Sequence, residues 1–131
     1  MAKITNKDEV LKHMGESHGH HFTAAKLLLA AHAGGLGTCV TVLKEAANTP
    51  QFHGVGVFVL LFGAGLIASI LYYASMFMTQ GTVRNSIMSD EDPNDAPSAT
   101  FLQVLNVVSM SMALLTLLAA IGFVIGKTSS L

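Results

Sequence analysis

The chain has 131 residues, of which 51% are hydrophobic and only 11% are charged, and its net charge is −1. Soluble domains carry roughly 25% charged residues, so this composition indicates a membrane protein, and the length allows one domain over residues 1–131. The near-zero net charge offers no electrostatic basis for binding nucleic acid.

Residues 1–21 form a polar N-terminal segment, within which the sequence predicts a short amphipathic helix. Asn6 and Glu9 have the spacing of a capping box, and Gly15 is expected to end the helix. A helix of this kind can lie on a membrane surface. The polar segment is therefore expected to precede the membrane-spanning part of the chain.

The first predicted span covers residues 24–44. Its uncharged part, residues 27–43, has 17 residues between Lys26 and Lys44, which is at the lower limit for crossing a bilayer. The two lysines can reach outward to the interface and lengthen the usable span. Because this segment also contains His32 and three glycines, it is expected to depend on neighbouring helices. The alternative is a re-entrant or surface helix.

The second and third predicted spans cover residues 54–78 and 101–126. They include uncharged stretches of 24 and 26 residues, residues 55–78 and 101–126, and about 20 residues suffice for a helix to cross a bilayer. The loop between them, residues 79–100, holds four acidic residues and two prolines and is expected to be exposed. The predicted fold class is thus all-α, an integral membrane three-helix bundle.

The distribution of lysine and arginine sets the predicted orientation. With three spans, the N-terminus and the acidic loop lie on the same side, which carries five of the seven basic residues. This imbalance predicts a multi-pass membrane protein whose N-terminus and acidic loop are cytoplasmic and whose C-terminus is outside.

Small residues recur at helical spacing in all three spans, as in helices that associate closely within lipid. In the first span the series are Ala30–Gly34–Thr38 and Ala33–Gly37–Thr41. The residues predicted to make helix-packing contacts are Gly34, Gly35, Gly37, Gly65, Ser69, Ser109, Gly122 and Gly126. Three such faces exceed what one three-helix monomer needs, which favours an oligomer, with Gly122 and Gly126 as the contact beyond the monomer.

Three polar residues lie at similar calculated depths in the three spans. Counting inward from Lys26, Met78 and the start of the third span places His32, Tyr72 and Asn106 about 8–9 Å below one surface. We expect them to form one polar layer that is hydrogen-bonded within the bundle or across an oligomer, because an unpaired polar group in lipid costs several kcal/mol. Protonation of His32 near pH 6–7 would then tune packing or a gate. The alternative is that His32 reaches toward the interface.

His18, His20 and His21 are weak candidates for a metal site, since imidazoles bind zinc, copper and nickel. His20 and His21 are adjacent, however, and cannot share one helical face, and no cysteine lies beside them. We expect them to be polar residues at the membrane interface. No metal or other cofactor is therefore expected.

The stretch KLLLAAHAGGLG, residues 26–37, resembles the opening of the first span in small, largely uncharacterised bacterial membrane proteins. In those proteins a leucine run meets a polar residue and a Gly-Gly pair, and two or three further spans follow. The resemblance implies a multi-span architecture and no known activity. The three-span layout is also similar to that of phage holins, although the tail here is less basic than holin tails often are.

The expected function is non-catalytic, because no motif joins the Ser, Thr and His residues into a catalytic arrangement. The protein is expected to act in the lipid bilayer by helix association, as a homo-oligomer or as an accessory subunit of a larger membrane complex. One alternative is a holin-like or membrane-disrupting pore former. Its lumen would be lined by Gln103, Asn106, Ser109 and Thr116. The other alternative is a redox subunit that binds a cofactor at His32.

Overall fold

A computed structural model of the protein describes residues 7–45, 54–89 and 98–128. These residues form three long helices, α1 (Lys7–Glu45), α2 (Val55–Ser89) and α3 (Ala99–Thr128), and the described ranges contain no strand. Each of the three predicted spans falls in one helix, and all three helices are long and apolar enough to cross a membrane. The predicted all-α class is therefore confirmed.

The central helix is α2, which packs along both α1 and α3, whereas α1 and α3 meet over a short stretch. Phe22 of α1 contacts Tyr73 of α2, with ring centroids 5.4 Å apart. Lys7, the first residue of α1, contacts Met88 near the end of α2, so the two helices run antiparallel. Phe58 near the start of α2 likewise contacts Phe123 near the end of α3, at 5.1 Å. The chain thus goes up, down and up, and α1 is parallel to α3.

The buried positions are occupied mainly by small residues, and many large apolar side chains point outward. On α2 the buried set includes Gly65, Ala68 and Ser69, whereas Leu60 and Ile67 are exposed. This distribution is typical of helices in lipid, where small residues let the backbones approach closely. Large apolar side chains gain nothing from being buried there, because the lipid around them is already apolar. The three helices therefore have the distribution of residues expected of a membrane bundle.

The N-terminal part of the chain is not a separate short helix. From Lys7 onward α1 is one continuous helix that passes through Gly15 and Gly19, so the prediction that Gly15 ends a helix is wrong. A glycine within a helix costs about 1 kcal/mol, which tertiary packing can offset. The proposed capping residue Asn6 lies outside the described residues.

Helix α2 continues well beyond the predicted end of the second span. It passes through Gly81 to Ser89, so residues 79–89 are helical and only the remainder of the predicted acidic loop connects α2 to α3. Ser86 and Ile87 are buried in this extension, and Lys7 Nζ donates a hydrogen bond to the Met88 carbonyl oxygen at 3.4 Å. Tertiary contact with the N-terminal part of α1 thus accounts for a helix over residues 79–89, which were predicted to belong to a loop.

The hairpin of α1 and α2 is longer than a bilayer is thick. Helices of 39 and 35 residues measure about 58 Å and about 52 Å at roughly 1.5 Å per residue, whereas the hydrocarbon core is roughly 30 Å thick. The N-terminal part of α1 and the C-terminal part of α2 therefore form an antiparallel pair that continues past the apolar segments.

Candidate functional site around a buried histidine

The imidazole of His32 is completely buried where the three helices meet. Helix α1 presents it on the face that also carries Ala25 and Cys39, both buried and each seven residues from His32. A seven-residue spacing is two helical turns, so the three side chains lie in one row. Ionisable side chains at membrane depth are functional candidates by default, which makes His32 the centre of the candidate site.

Two glycines allow α1 and α2 to approach closely at this level. Gly65 of α2 lies against His32, and a Cβ atom at position 65 would overlap the imidazole and crowd the Thr116 hydroxyl. Gly35 of α1 lies against Phe62 in the same way. Phe62 also contacts the imidazole edge-on, with ring centroids 6.3 Å apart. The site is therefore closed around the ring by backbone and aromatic groups.

One imidazole nitrogen, Nδ1, lies within hydrogen-bond distance of oxygen atoms of α1 and α2. His32 Nδ1 lies 2.7 Å from the Leu28 carbonyl oxygen, one turn earlier in α1. Because a carbonyl oxygen only accepts, Nδ1 carries a hydrogen atom and donates it. Ser69 Oγ lies 3.3 Å from the same nitrogen, and the Ser69 hydroxyl donates to the Gly65 carbonyl oxygen at 2.7 Å. Ser69 thus presents a lone pair to Nδ1.

The other imidazole nitrogen links α1 directly to α3. His32 Nε2 lies 3.2 Å from Thr116 Oγ1. The same hydroxyl oxygen is 3.0 Å from the carbonyl oxygens of both Met112 and Ala113 in its own helix. The one hydroxyl hydrogen of Thr116 can therefore be donated either to the imidazole or back to the α3 backbone.

Within the monomer, His32, Tyr72 and Asn106 do not lie in the single polar layer that was predicted. Tyr72 is buried, but its hydroxyl lies 3.4 Å from His21 Nδ1 and not at the level of His32. His32 lies against Gly65 and Ser69, which precede Tyr72 by seven and three residues, or about 10 Å and about 4.5 Å along the helix axis. Counting six residues inward from Lys26 and from Met78 does not reach the same level, because Lys26 and Met78 themselves lie at different levels in the observed register.

Asn106 belongs to a second polar cluster between α2 and α3. The Ser75 hydroxyl donates to Asn106 Oδ1, and Asn106 Nδ2 donates to Thr79 Oγ1 at 3.1 Å. Ser109, one turn further along α3, is also buried, and its hydroxyl donates to the carbonyl oxygen of Leu105. The three predicted layer residues are thus buried or partly buried in the bundle at separate levels, each with its own partners.

The residues predicted to pack helices divide into two groups. Those that face the interior are Gly35, Gly65, Ser69 and Ser109. Gly34, Gly37 and Gly122 are exposed, with open space where a Cβ atom would lie. Gly126 is part of α3, outside the residues whose surroundings are described. A Cβ atom at these three exposed positions would meet no other helix of this monomer, so their proposed role in helix packing would require a second molecule.

The residues suggested as a pore lining do not share one open surface. Gln103 is exposed on the outside of α3, whereas Asn106 and Thr116 bind groups on the other helices and Ser109 is buried. In this monomer Asn106, Ser109 and Thr116 lie between the helices, whereas Gln103 does not.

The N-terminal histidines are spread along α1. His18 Nδ1 bonds the Met14 carbonyl oxygen at 2.8 Å, His21 faces Tyr72, and His20 is exposed. Among the described residues, no three His, Cys, Asp or Glu side chains are grouped so that they could hold a metal ion.

An apolar cavity of about 460 Å³ lies next to the histidine site. All three helices line it, through residues that include Cys39, Phe62 and Ala120. Phe62 lines this cavity and also contacts the His32 ring, whereas Tyr72 and Asn106 lie on the opposite side of the ring along the bundle. The site therefore has a polar side and an apolar side.

The sequence contained the partners of His32 but did not identify them as partners. The sequence analysis predicts that Gly65 and Ser69 pack helices and that Thr116 lines a pore. Ala25, His32 and Cys39 are seven residues apart, but Ala30 and Gly37 have the same spacing on the exposed face, so this spacing does not single out the inward face. No signal in the sequence specifies the register between helices, and the register decides which residues meet.

The chain matches no protein-family model, and none of the curated proteins or solved structures compared with it matches significantly. A functional assignment therefore depends on the residues and contacts of this chain alone.

Proposed function

We propose that this protein is a small, non-catalytic integral membrane protein that works by helix association, as a self-assembling unit or as an accessory subunit of a membrane complex. The observation that carries the proposal is the exposed row of small residues on the outer face of α1. Its members are Ala30, Ala33, Gly34, Gly37, Thr38 and Thr41.

This outer face of α1 lies opposite the face that packs on α2. At 3.6 residues per turn, the six small residues centre on the side of the helix away from Ala25, His32 and Cys39. Small residues facing lipid bury little apolar surface, but they allow another helix backbone to approach. The exposed row therefore favours contact with a helix of a second molecule.

The polar groups in this row are already satisfied. The Thr38 hydroxyl donates to the Gly34 carbonyl oxygen at 3.0 Å, and the Thr41 hydroxyl donates to the Gly37 carbonyl oxygen at 3.1 Å. The face can thus exist in lipid as a monomer without unpaired hydroxyl groups, and association depends on close packing.

Replacing Gly34 and Gly37 together by leucine tests this proposal. A Cβ atom meets nothing within 4 Å at either position, so the monomer should fold normally. In bilayers at low protein density, association measured by energy transfer between labelled copies or by co-purification of a partner should be lost. The matched control is Gly56→Leu, at an exposed and equally open position of α2. Unchanged association in the double variant would show that the outer face of α1 is not the surface through which the protein associates.

The exposed Gly122 of α3 provides a second test surface. If Gly122→Leu abolishes association while the α1 double variant does not, the contact beyond the monomer is on α3. Because a Cβ at Gly122 also meets nothing within 4 Å, this variant carries no expected cost to the monomer.

We also propose that the N-terminus is cytoplasmic and the C-terminus is outside. Five of the seven Lys and Arg residues in the sequence lie in the N-terminal segment, at its interface and in the segment between the second and third spans. Positive residues are retained on the cytoplasmic side. A reporter active only in the cytoplasm should work when fused to the N-terminus and fail at the C-terminus. The reverse result would overturn the orientation.

Among the described residues, no specific contact favours the pore or redox alternatives. Asn106 and Thr116 are used in bonds between helices, and both nitrogens of His32 have oxygen partners. An imidazole that ligates a metal cofactor does so through a ring-nitrogen lone pair, and Gly65 and Thr116 occupy the space beside Nε2. Overexpression that depolarises cells would nevertheless support a pore, and a visible absorption band in the purified protein would support a redox subunit.

A further inference from the structure

Lys26 of α1 lies deeper in the bundle than the end of the apolar segment of α2. Its neighbour Ala25 belongs to a buried cluster with Tyr72 of α2, so Lys26 is roughly level with Tyr72. Tyr72 precedes Met78, the last residue of the apolar segment, by six residues, or about 9 Å along the helix. The first charged residue of α2 beyond that end is Arg84, about 18 Å from the level of Lys26.

The register with α3 also places Lys26 at membrane depth. His32 of α1 meets Thr116 of α3, and the two helices are parallel. Lys26, six residues before His32, is therefore roughly level with Met110. Met110 is nine residues, or about 14 Å, from Phe101, where the apolar segment of α3 begins. Both neighbouring helices are thus uncharged at the level of Lys26.

The side chain of Lys26 lies on the outside of the bundle and has no partner there. It is exposed, and among the described residues no hydrogen bond or ion pair involves it. Ionisable side chains at membrane depth are usually paired and face the bundle interior or a water-filled cavity. The four-carbon stem of a lysine spans about 6 Å, so it carries the amine only part of the way to the end of the apolar segment. The charge of Lys26 therefore calls for an opposite charge nearby.

Small residues lie before and after Lys26 on the same side of α1. Seven and eleven residues are close to two and three helical turns. Gly15 and Gly19 precede Lys26 by eleven and seven residues. Ala33 and Gly37, which belong to the outer face of α1, follow it at the same distances, and all four residues are exposed. A Cβ atom at any of the three glycines meets nothing within 4 Å, so another helix can approach closely with Lys26 in the middle of the contact.

A second copy of this chain does not supply the opposite charge. The sequence has no acidic residue between Glu16 and Glu45 and none in the second and third predicted spans. Glu16, the nearer of the two, is ten residues from Lys26, or about 15 Å along the helix. Two copies inserted in the same orientation and packed symmetrically on this side would bring their Lys26 side chains together, and like charges repel. The charge therefore favours a partner of different sequence.

We propose that Lys26 is a recognition site for a membrane-spanning helix of another protein, and that this helix places the carboxylate of an Asp or Glu residue beside the Lys26 amine. The inference rests on the proposed association through α1 and narrows it to the role of an accessory subunit. The partner helix supplies the charge that the bundle lacks, and the small residues allow it to approach. The proposed orientation does not depend on Lys26, since four of the other six basic residues lie in the N-terminal segment and in the segment between the second and third spans.

A synthetic membrane helix tests the proposal. The probe is a peptide of about 20 leucine and alanine residues with one glutamate at its middle, and the control peptide has glutamine there. Energy transfer from the labelled full chain measures the binding of each peptide in phosphatidylcholine vesicles. We expect the glutamate peptide to bind at least tenfold more tightly than the glutamine peptide.

Variants of Lys26 assign this preference to its amine. Lys26→Met should abolish the preference and Lys26→Arg should keep it, and neither change is expected to disturb the fold because the side chain makes no contact by hydrogen bond or ion pair. The matched control is Lys44→Met, at the exposed lysine near the other end of α1, which should keep the preference.

Equal binding of the two peptides to the wild type would overturn the pairing and would indicate that lipid phosphate satisfies the amine. A preference that persists in Lys26→Met would also overturn it. Binding that is equal for both peptides but lost in the Gly34 and Gly37 double leucine variant would leave association through α1 intact while the pairing fails. If the wild type binds neither peptide, the pairing is rejected, and association between labelled copies or with a co-purified partner is judged by its own test.

Discussion

Gly65 of α2 lies so close to the imidazole of His32 that a side chain at position 65 would occupy the same space as the ring. This contact sets the distance between α1 and α2 at the level where α3 also contributes Thr116. The histidine site thus depends on a residue that has no side chain, and the geometry of the site is sensitive to small changes there.

Gly65→Ala should destabilise the bundle, because the new methyl group would overlap His32 and crowd Thr116. Overpacking of this kind costs about 1–3 kcal/mol. The measurement is the free energy of unfolding in mild detergent or bilayers. Gly63→Ala is the matched control, two residues away, where a Cβ atom meets nothing within 4 Å. Equal stability of the two variants would show that α1 and α2 do not approach as closely as described.

Asn106→Leu should destabilise the contact between α2 and α3, because Ser75 and Thr79 both lose a partner. Hydrogen bonds between membrane helices contribute about 0.6 kcal/mol on average, so two lost bonds should cost about 1–2 kcal/mol. Gln103→Leu, at an exposed position of the same helix, should be nearly neutral. An equal effect of both variants in the unfolding assay would contradict the second polar cluster.

The effects of His32→Leu and Asn106→Leu on stability should add, because the two residues belong to different clusters. Mutations without shared partners add within about 0.5 kcal/mol. Ser75→Ala and Asn106→Leu should instead be coupled, since the Ser75 hydroxyl donates to Asn106. Two double-mutant cycles measure this difference. Strong coupling between His32 and Asn106 would indicate that they belong to one polar layer and would contradict the two separate clusters described above.

Ile87→Ala should loosen the extension of α2 beyond the apolar segment. Ile87 is 3% exposed and lies where α2 runs beside the start of α1. Truncating a buried isoleucine costs about 2–5 kcal/mol, so cleavage by trypsin after Arg84 should become faster. Met88→Ala, at a residue that is 63% exposed, should leave cleavage unchanged. Rapid cleavage of the wild type would instead show that residues 79–89 form the loop predicted by the sequence.

The number of helices and their apolar segments could be predicted from the sequence for a simple reason. A chain in lipid must satisfy its backbone groups internally, so each long uncharged stretch is expected to be a helix. The helix ends were less predictable. Gly15 and Gly81 favour a break locally, but the contacts between the N-terminal part of α1 and the C-terminal part of α2 extend both helices.

The sequence by itself determined that polar and small residues lie on α2 and α3 at helical spacing and that His32 is in the first apolar segment. Only the tertiary structure decided that His32 meets Gly65, Ser69 and Thr116 and that Tyr72 and Asn106 have other partners. The physical reason is that α1 carries small residues on two opposite faces, so spacing alone does not specify which face packs inward. The register follows from the fit of the His32 ring against Gly65, a contact between residues 33 positions apart.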